Sequence, residues 1–188
     1  MAILDYDVLV IDQVTSFMRD DFAIRDAHGQ QVGHILTRGS ALSRMFMGSR
    51  QLTVANPDGG TVLMVDDVPN FGRDTFDLLS PDGERFGEVV KEFTLFKKRL
   101  SVNIGQESME LQGSFFEREF SIVGRGGEAA RVSRSYPGIG AALLGHERYV
   151  MSFSPDLPFG LRAGSLGAVI ALDLIRQKER NAASSGNS

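Results

Sequence analysis

Few side chains in this sequence have the types and spacing that chemistry demands. Its three histidines, His28, His34 and His146, fall far apart. None has the i, i+4 spacing of a helical zinc site or a Glu partner in H-E-x-x-H form. His28 reads as a turn residue, His34 as a strand residue and His146 as part of a connection. Ser165 lies in "AGSLG", which is not the G-x-S-x-G of a nucleophile elbow. Gly138 and Gly140 echo a phosphate-binding loop, but the spacing to Gly145 is wrong and no βαβ context surrounds them. Carboxylates are scattered, and no acid–base pair of the glycosidase kind stands out. The absence of cysteine removes disulfides, thiolate metal sites, a cysteine nucleophile and S-palmitoylation. These residues predict no catalytic, cofactor or metal site.

The remaining candidate is a binding segment. "FTLFKKRLSV" (Phe93 to Val102) sets Lys97, Lys98 and Arg99 between Phe93, Leu95, Phe96 and Leu100. Cations beside apolar anchors suit an anionic lipid headgroup at an interface. The same pattern also suits a solvated turn whose lysines guard a strand edge.

Charge narrows the partners. The net charge is −4, so no global field favours nucleic acid. A local basic patch can still act over a Debye length of about 8–10 Å. The start "MAILDYDVLVIDQ" lacks a basic n-region and is broken by Asp5 and Asp7, unlike a signal peptide. Residues 1–180 read as one domain. Residues 181–188, "NAASSGNS", are small and polar and read as a disordered tail.

A recurring hairpin supplies the scaffold. "FAIRDAHGQQVGHI" (Phe22 to Ile35), "FDLLSPDGERFGEVV" (Phe76 to Val90) and "FSIVGRGGEAARVS" (Phe120 to Ser133) share one form. Each has an aromatic start, a β-type run, a polar turn with Gly and a second run. "LTVANPDGGTVLMV" (Leu52 to Val65) is a fourth copy and "LSVNIGQESMELQ" (Leu100 to Gln112) a fifth. Asn, Asp and Gly mark these turns because they accept positive φ. Alternation sets Leu100, Val102 and Ile104 on one strand face and Ser101 and Asn103 on the other. With "VLVIDQ" before the repeats and "ERYVMSFS" after them, about twelve antiparallel strands are predicted, and barrel closure would remove exposed edges. Two longer connections, residues 38–50 and 135–147, each have room for a short helix.

The segment "LRAGSLGAVIALDLIRQKER" (Leu161 to Arg180) completes the scaffold. Its uncharged run is too short for a bilayer, which needs about 20 apolar residues, and Asp173 interrupts it. Leu166, Val169, Ile170, Leu172, Leu174 and Ile175 cover nearly the whole helix circumference, as in a buried helix. Gly164, Ser165, Gly167, Ala168 and Ala171 keep it thin. A β-barrel closed around this helix explains both halves of the sequence. Asp173 then needs a partner, either Arg118 from a strand or Arg176 at i+3.

This order of elements resembles the LURP-one-related and phospholipid scramblase families, which share the Tubby C-terminal-like fold. That resemblance rests on the "F-x-[ILV]…DG…FG-x-V" hairpins at Phe22 and Phe76, on "YVM", and on the terminal helix. It implies a non-catalytic barrel threaded by its C-terminal helix, associated with lipid or an anionic ligand. Such a module would be cytoplasmic and peripheral to a membrane. A soluble scaffold or stress-related protein-interaction module without a lipid role is the alternative. Scramblases carry an acidic calcium-binding segment beside the terminal helix. Here "SFSPDLPFGLR" offers only Asp156, whereas calcium takes about six to eight oxygen ligands.

Overall fold

A computed structural model describes residues 2–12, 21–38, 51–68, 73–93, 98–113, 119–133 and 148–185. Within them the chain forms a closed antiparallel β-barrel around one long helix. The strands are β1 (Val8–Asp12), β2 (Asp21–Arg25), β3 (Gln31–Arg38), β4 (Gln51–Ala55), β5 (Thr61–Val68) and β6 (Thr75–Leu79). They continue as β7 (Arg85–Phe93), β8 (Lys98–Ile104), β9 (Glu107–Gly113), β10 (Phe120–Gly124), β11 (Gly127–Ser133) and β12 (Arg148–Phe153). Each strand pairs with its neighbour in sequence, and β1 closes the barrel on β12 through Val10↔Val150 and flanking pairs.

All five anticipated hairpins form, as β2–β3, β4–β5, β6–β7, β8–β9 and β10–β11. In three of them, β2–β3, β4–β5 and β6–β7, the likeness extends to single hydrogen bonds. Asp26 N–H donates to Gln30 O and Gly29 N–H to Asp26 O. The same two bonds recur at Asn56/Gly60 and Gly59/Asn56, and at Ser80/Glu84 and Gly83/Ser80. Gly29, Gly59 and Gly83 hold φ of 88°, 85° and 85°, a region in which a Cβ is penalised. Register shifts follow at Ile24/Arg25, Val54/Ala55 and Leu78/Leu79, so each turn closes with a bulge at an equivalent place. In these three the sequence repeat is a repeat of turn geometry, whereas β8–β9 and β10–β11 close through shorter turns between Ile104 and Glu107 and between Gly124 and Gly127.

Because every described hairpin turn falls at one end, the barrel has two unlike ends. At the turn end sit the five tight turns and the start of the helix α1 (Phe159–Ser185). The opposite end is where α1 leaves the barrel, with Lys178 and Arg180 exposed.

The barrel wall and α1 form one core. Wall residues such as Leu9, Ile35, Leu52, Phe76, Leu78 and Val102 are fully buried, as are Leu166, Ala168 and Ala171 of the helix. Val169, Ile170, Leu172, Leu174 and Ile175 are at most 2% exposed, and Asp173 is 5%. The small residues matter sterically: a Cβ on Gly167 would stand 2.6 Å from Leu78 Cδ2, and one on Gly164 2.7 Å from Ile104 Cδ1. Glycine lets the two walls approach the helix axis there. Helix α1 runs on to Ser185, through the first five residues of the polar terminal segment. Ala182 and Ala183 are strong helix formers, so the helix extends into solvent without packing.

The N-terminus contributes a plug that the hairpin pattern does not announce. A short 3-10 turn, Ile3–Asp5, buries Ile3 completely and leaves Leu4 2% exposed. Asn56 Oδ1 accepts the Ile3 N–H at 3.0 Å. Gly33 makes room, since a Cβ there would lie 2.2 Å from Ile3 Cδ1. Of the connections 38–50 and 135–147, where short helices were anticipated, residues 39–50 and 135–147 lie outside the described residues, as do residues 114–118 with Arg118.

Candidate functional site: the basic strand and the charged rim

The basic candidates map to the β7–β8 hairpin at the end where α1 emerges. Lys98 opens β8 in register with Phe93, and Arg99 stands opposite Glu92. Lys97, Leu95 and Phe96 lie outside the described residues. Arg99 is exposed and pairs with Glu110 Oε1 across to β9 at 3.4 Å. An exposed pair of this kind contributes only about 0–1 kcal/mol, so Arg99 can exchange partners readily. Leu100, expected among the apolar anchors, is instead fully buried against the barrel core. Strand alternation explains the difference, because Leu100 shares its inward face with Val102.

Beside that hairpin lies an alternating chain of charges that sequence reasoning missed. Lys178 Nζ of α1 lies 2.7 Å from Asp67 Oδ1 and 3.2 Å from Asp74 Oδ1. Lys91 Nζ of β7 in turn lies 3.0 Å from Asp74 Oδ2 and 3.1 Å from Glu179 Oε1. Asp67 and Lys91 are each 3% exposed, which makes their partners essential to them. Burial is the largest influence on Asp67 and leaves its carboxyl above its usual range, despite the opposing hydrogen bond from Lys178. Burial also pushes Asp74 upward, but hydrogen bonds from Lys91 and Lys178 prevail and hold it below that range. Lys91 is held above its usual value, because Asp74 and Glu179 outweigh the effect of burial. The chain ties the last buried turn of α1 to β5, β6 and β7. No local sequence pattern signals it, since Asp67 and Lys178 are 111 residues apart.

Arg176, one turn inside this rim, donates to Tyr149 Oη and lies over the rings of Tyr149 and Phe120, 5.7 and 5.9 Å from their centroids. Its Nη1 is 4.0 Å from Asp173 Oδ1. The intrahelical partner anticipated for Asp173 is therefore present.

Arg162 does comparable work at the turn end. Its guanidinium donates to the carbonyls of Leu4, Tyr6 and Leu157, each at 3.2 Å, and pairs with Asp7 Oδ1 at 2.8 Å. The same group lies 5.1 Å from the centroid of the Phe153 ring. One side chain thereby joins the N-terminal plug, the approach to α1 and the start of β1.

The other candidates are dispersed. His28 occupies the β2–β3 turn and His34 lies in β3, while His146 lies outside the described residues. The Ser165 hydroxyl is buried and contacts Met109 Sδ at 3.9 Å, a packing position rather than a nucleophile's. Among the described residues no group of three or more His, Asp or Glu side chains is placed to hold a metal ion. Among them, too, no helix is long and apolar enough to cross a membrane.

The geometry is that of a barrel whose lumen is occupied by α1. A family model for LURP-one-related proteins matches residues 7–164, from the start of β1 into α1. This chain belongs to the LURP-one-related family. A protein from Arabidopsis thaliana with a solved X-ray structure is similar in fold, with a TM-score of 0.53 at 14% identity. The similarity covers 88% of this chain and 90% of the plant protein. No curated protein matches the chain in sequence. The resemblance drawn from hairpins and terminal helix thus holds at the level of family and fold.

Proposed function

We propose that this LURP-one-related barrel is a non-catalytic module that associates peripherally with anionic lipid at a cytoplasmic membrane surface. The observation that carries the reading is the occupied lumen: with α1 packed against Leu78 and Ile104, recognition falls to the outer surface. Of the proposed binding segment, Lys98 and Arg99 begin β8 at the end where α1 emerges, and Arg99 is exposed there. Cations near an anionic bilayer contribute about 1 kcal/mol each, enough together for reversible attachment.

Co-sedimentation with phosphatidylserine–phosphatidylcholine vesicles tests the proposal, with pure phosphatidylcholine as the comparison. Wild type is expected to pellet with the anionic vesicles only, and the Lys97→Ala/Lys98→Ala/Arg99→Ala variant is expected to remain largely in the supernatant. Equal and negligible pelleting of both proteins would favour a scaffold role and end the lipid reading.

A further inference from the structure

The outer wall of the barrel holds a cleft that belongs neither to the core nor to the charged rim. The β7–β8 ladder ends at Gly87↔Ile104, and beyond that pair the β6–β7 and β8–β9 hairpins part toward their separate turns. Between them lies a cavity of about 230 Å³, open to solvent and lined by Arg85, Phe86, Gly87, Glu88, Asn103 and Gly105. Its polar side belongs to one row across four strands. Asp77 stands opposite Glu88, Glu88 opposite Asn103, and Asn103 opposite Ser108. The row is cross-linked. Arg85 Nε donates to Asp77 Oδ1 at 2.7 Å, and Arg85 Nη2 donates to Glu88 Oε2. Asn103 Nδ2 donates to Glu88 Oε1 at 3.1 Å, and Ser108 Oγ to Asn103 Oδ1 at 2.9 Å. Both oxygens of Glu88 are thus held, which fixes the planes of carboxylate, guanidinium and amide before any ligand arrives. Gly105, with φ of 57°, leaves the mouth clear, since a Cβ there would meet nothing within 4 Å.

We propose that this cleft is a binding site for a single uncharged sugar ring of the hexose class. The site lies toward the turn end of β8, away from Lys98 and Arg99, and stands independently of the lipid reading. Charge argues against simple ions. Arg85 faces two carboxylates, Asp77 and Glu88, and the neighbouring turns add Asp82, Glu84 and Glu107. A phosphate or carboxylate would therefore meet like charge. A cation would have to displace Arg85 from the carboxylates it already neutralises. Hydroxyls carry neither penalty, because each donates and accepts at once, and the cleft answers both needs. Arg85 spends two guanidinium N–H groups on its carboxylates and keeps its others. Each oxygen of Glu88 keeps a second lone pair, and Asn103 keeps one N–H. Planar, two-pronged groups of this kind suit a pair of adjacent hydroxyls. Phe86, half-buried, gives the lining an apolar portion for the C–H face of the ring. The volume falls below the roughly 300–1,000 Å³ of sites for drug-sized ligands, which suits one ring.

Titration of the full chain, followed by nitrogen–proton correlation spectra, tests the site. The probes are D-glucose, D-galactose and D-mannose, with inorganic phosphate as the charged comparison. A site this small and open holds its ligand with a dissociation constant on the order of 1 mM, so titration to about 50 mM approaches saturation. At least one hexose is expected to give saturable shifts confined to Phe86, Gly87, Glu88, Gly105 and the backbone and side-chain amides of Asn103. Phosphate is expected to give none there. Glu88→Gln keeps the shape of the acid but not its charge, and Asn103→Ala removes the amide. Each should weaken hexose binding about tenfold, the loss expected for one hydrogen bond to a fixed polar group. The rest of each spectrum reports whether the variant is folded, and the wild-type titration decides alone where one is not. No saturable shift with any of the three hexoses, shifts that fall elsewhere, or unchanged affinity in the folded variants would overturn the proposal. Saturable phosphate shifts at the same residues would overturn it in favour of an anion site.

Discussion

Replacing Ile170 by Lys should unfold the whole domain. Ile170 is 1% exposed and lies midway along the buried part of α1, eight residues from both Arg162 and Lys178. At 1.5 Å per residue either end of the barrel is about 12 Å away. A lysine stem reaches only about 6 Å, so its ammonium cannot extend to water at either end. Losing the isoleucine packing costs about 2–5 kcal/mol. An unpaired buried ammonium adds several kcal/mol more, even after relaxation. Together these approach or exceed the roughly 5–15 kcal/mol that stabilises a typical domain. Circular dichroism and urea titration provide the assay, with Ile170→Val as the size control at a cost of about 0.5–1.5 kcal/mol. Wild type and Ile170→Val should share one cooperative transition, while Ile170→Lys should lack native signal at zero urea. A native-like Ile170→Lys protein with an unshifted midpoint would refute the assignment of α1 as core. A helix serving as a membrane anchor would respond differently, leaving the barrel folded.

Other perturbations probe the two ends and the lumen. Arg162→Met removes hydrogen bonds to three carbonyls and the pairing with Asp7, and should cost about 2–4 kcal/mol in urea titration; deleting residues 2–6 should give a loss of similar size. Gly167→Val should destabilise by about 1–3 kcal/mol through overpacking against Leu78, and Leu78→Ala in the same chain should recover part of that loss. The rim charges have opposite signatures with pH. Asp74, with its lowered pKa, contributes stability above its unfolded value of 3.8 that is lost as pH falls through its folded pKa. Lys91, with its raised pKa, contributes stability below 10.5 that is lost as pH rises through its folded pKa. Asp67, also raised, contributes most below 3.8 and loses that contribution as pH climbs through its folded value. Thermal melts across pH should therefore show Asp74→Asn destabilised at neutral pH and Asp67→Asn much less affected.

Most of the barrel was legible because its signals are local. Positive-φ turns demand Gly beside Asn or Asp, so "DAHG", "NPDG" and "SPDG" marked hairpins without any tertiary information. The helix was legible for a different reason: Leu166 through Ile175 leave no polar face to turn toward water. What escaped depends on contacts between distant segments. Ile3 and Leu4 look like the start of a strand, and only Gly33 and Asn56 of other hairpins make them a plug. Arg162 looks like a charged residue flanking an apolar run, yet it gathers carbonyls from both termini. Asp67 and Asp74 gain their role from Lys178, brought to them by the threading of α1. The basic segment was legible as composition, but strand alternation assigns Leu100 to the core rather than to the surface.

The central claim is that α1 remains the core of the barrel and that any membrane association occurs on the outside. Hydrogen exchange of the amides of residues 163–175, with and without phosphatidylserine-containing vesicles, tests it most directly. The account expects these amides to be among the slowest in the molecule, matched to the strand amides of β5 and β8, and unchanged by the vesicles. Rapid exchange in α1 while β5 and β8 stay protected, or loss of protection on vesicle binding, would contradict it.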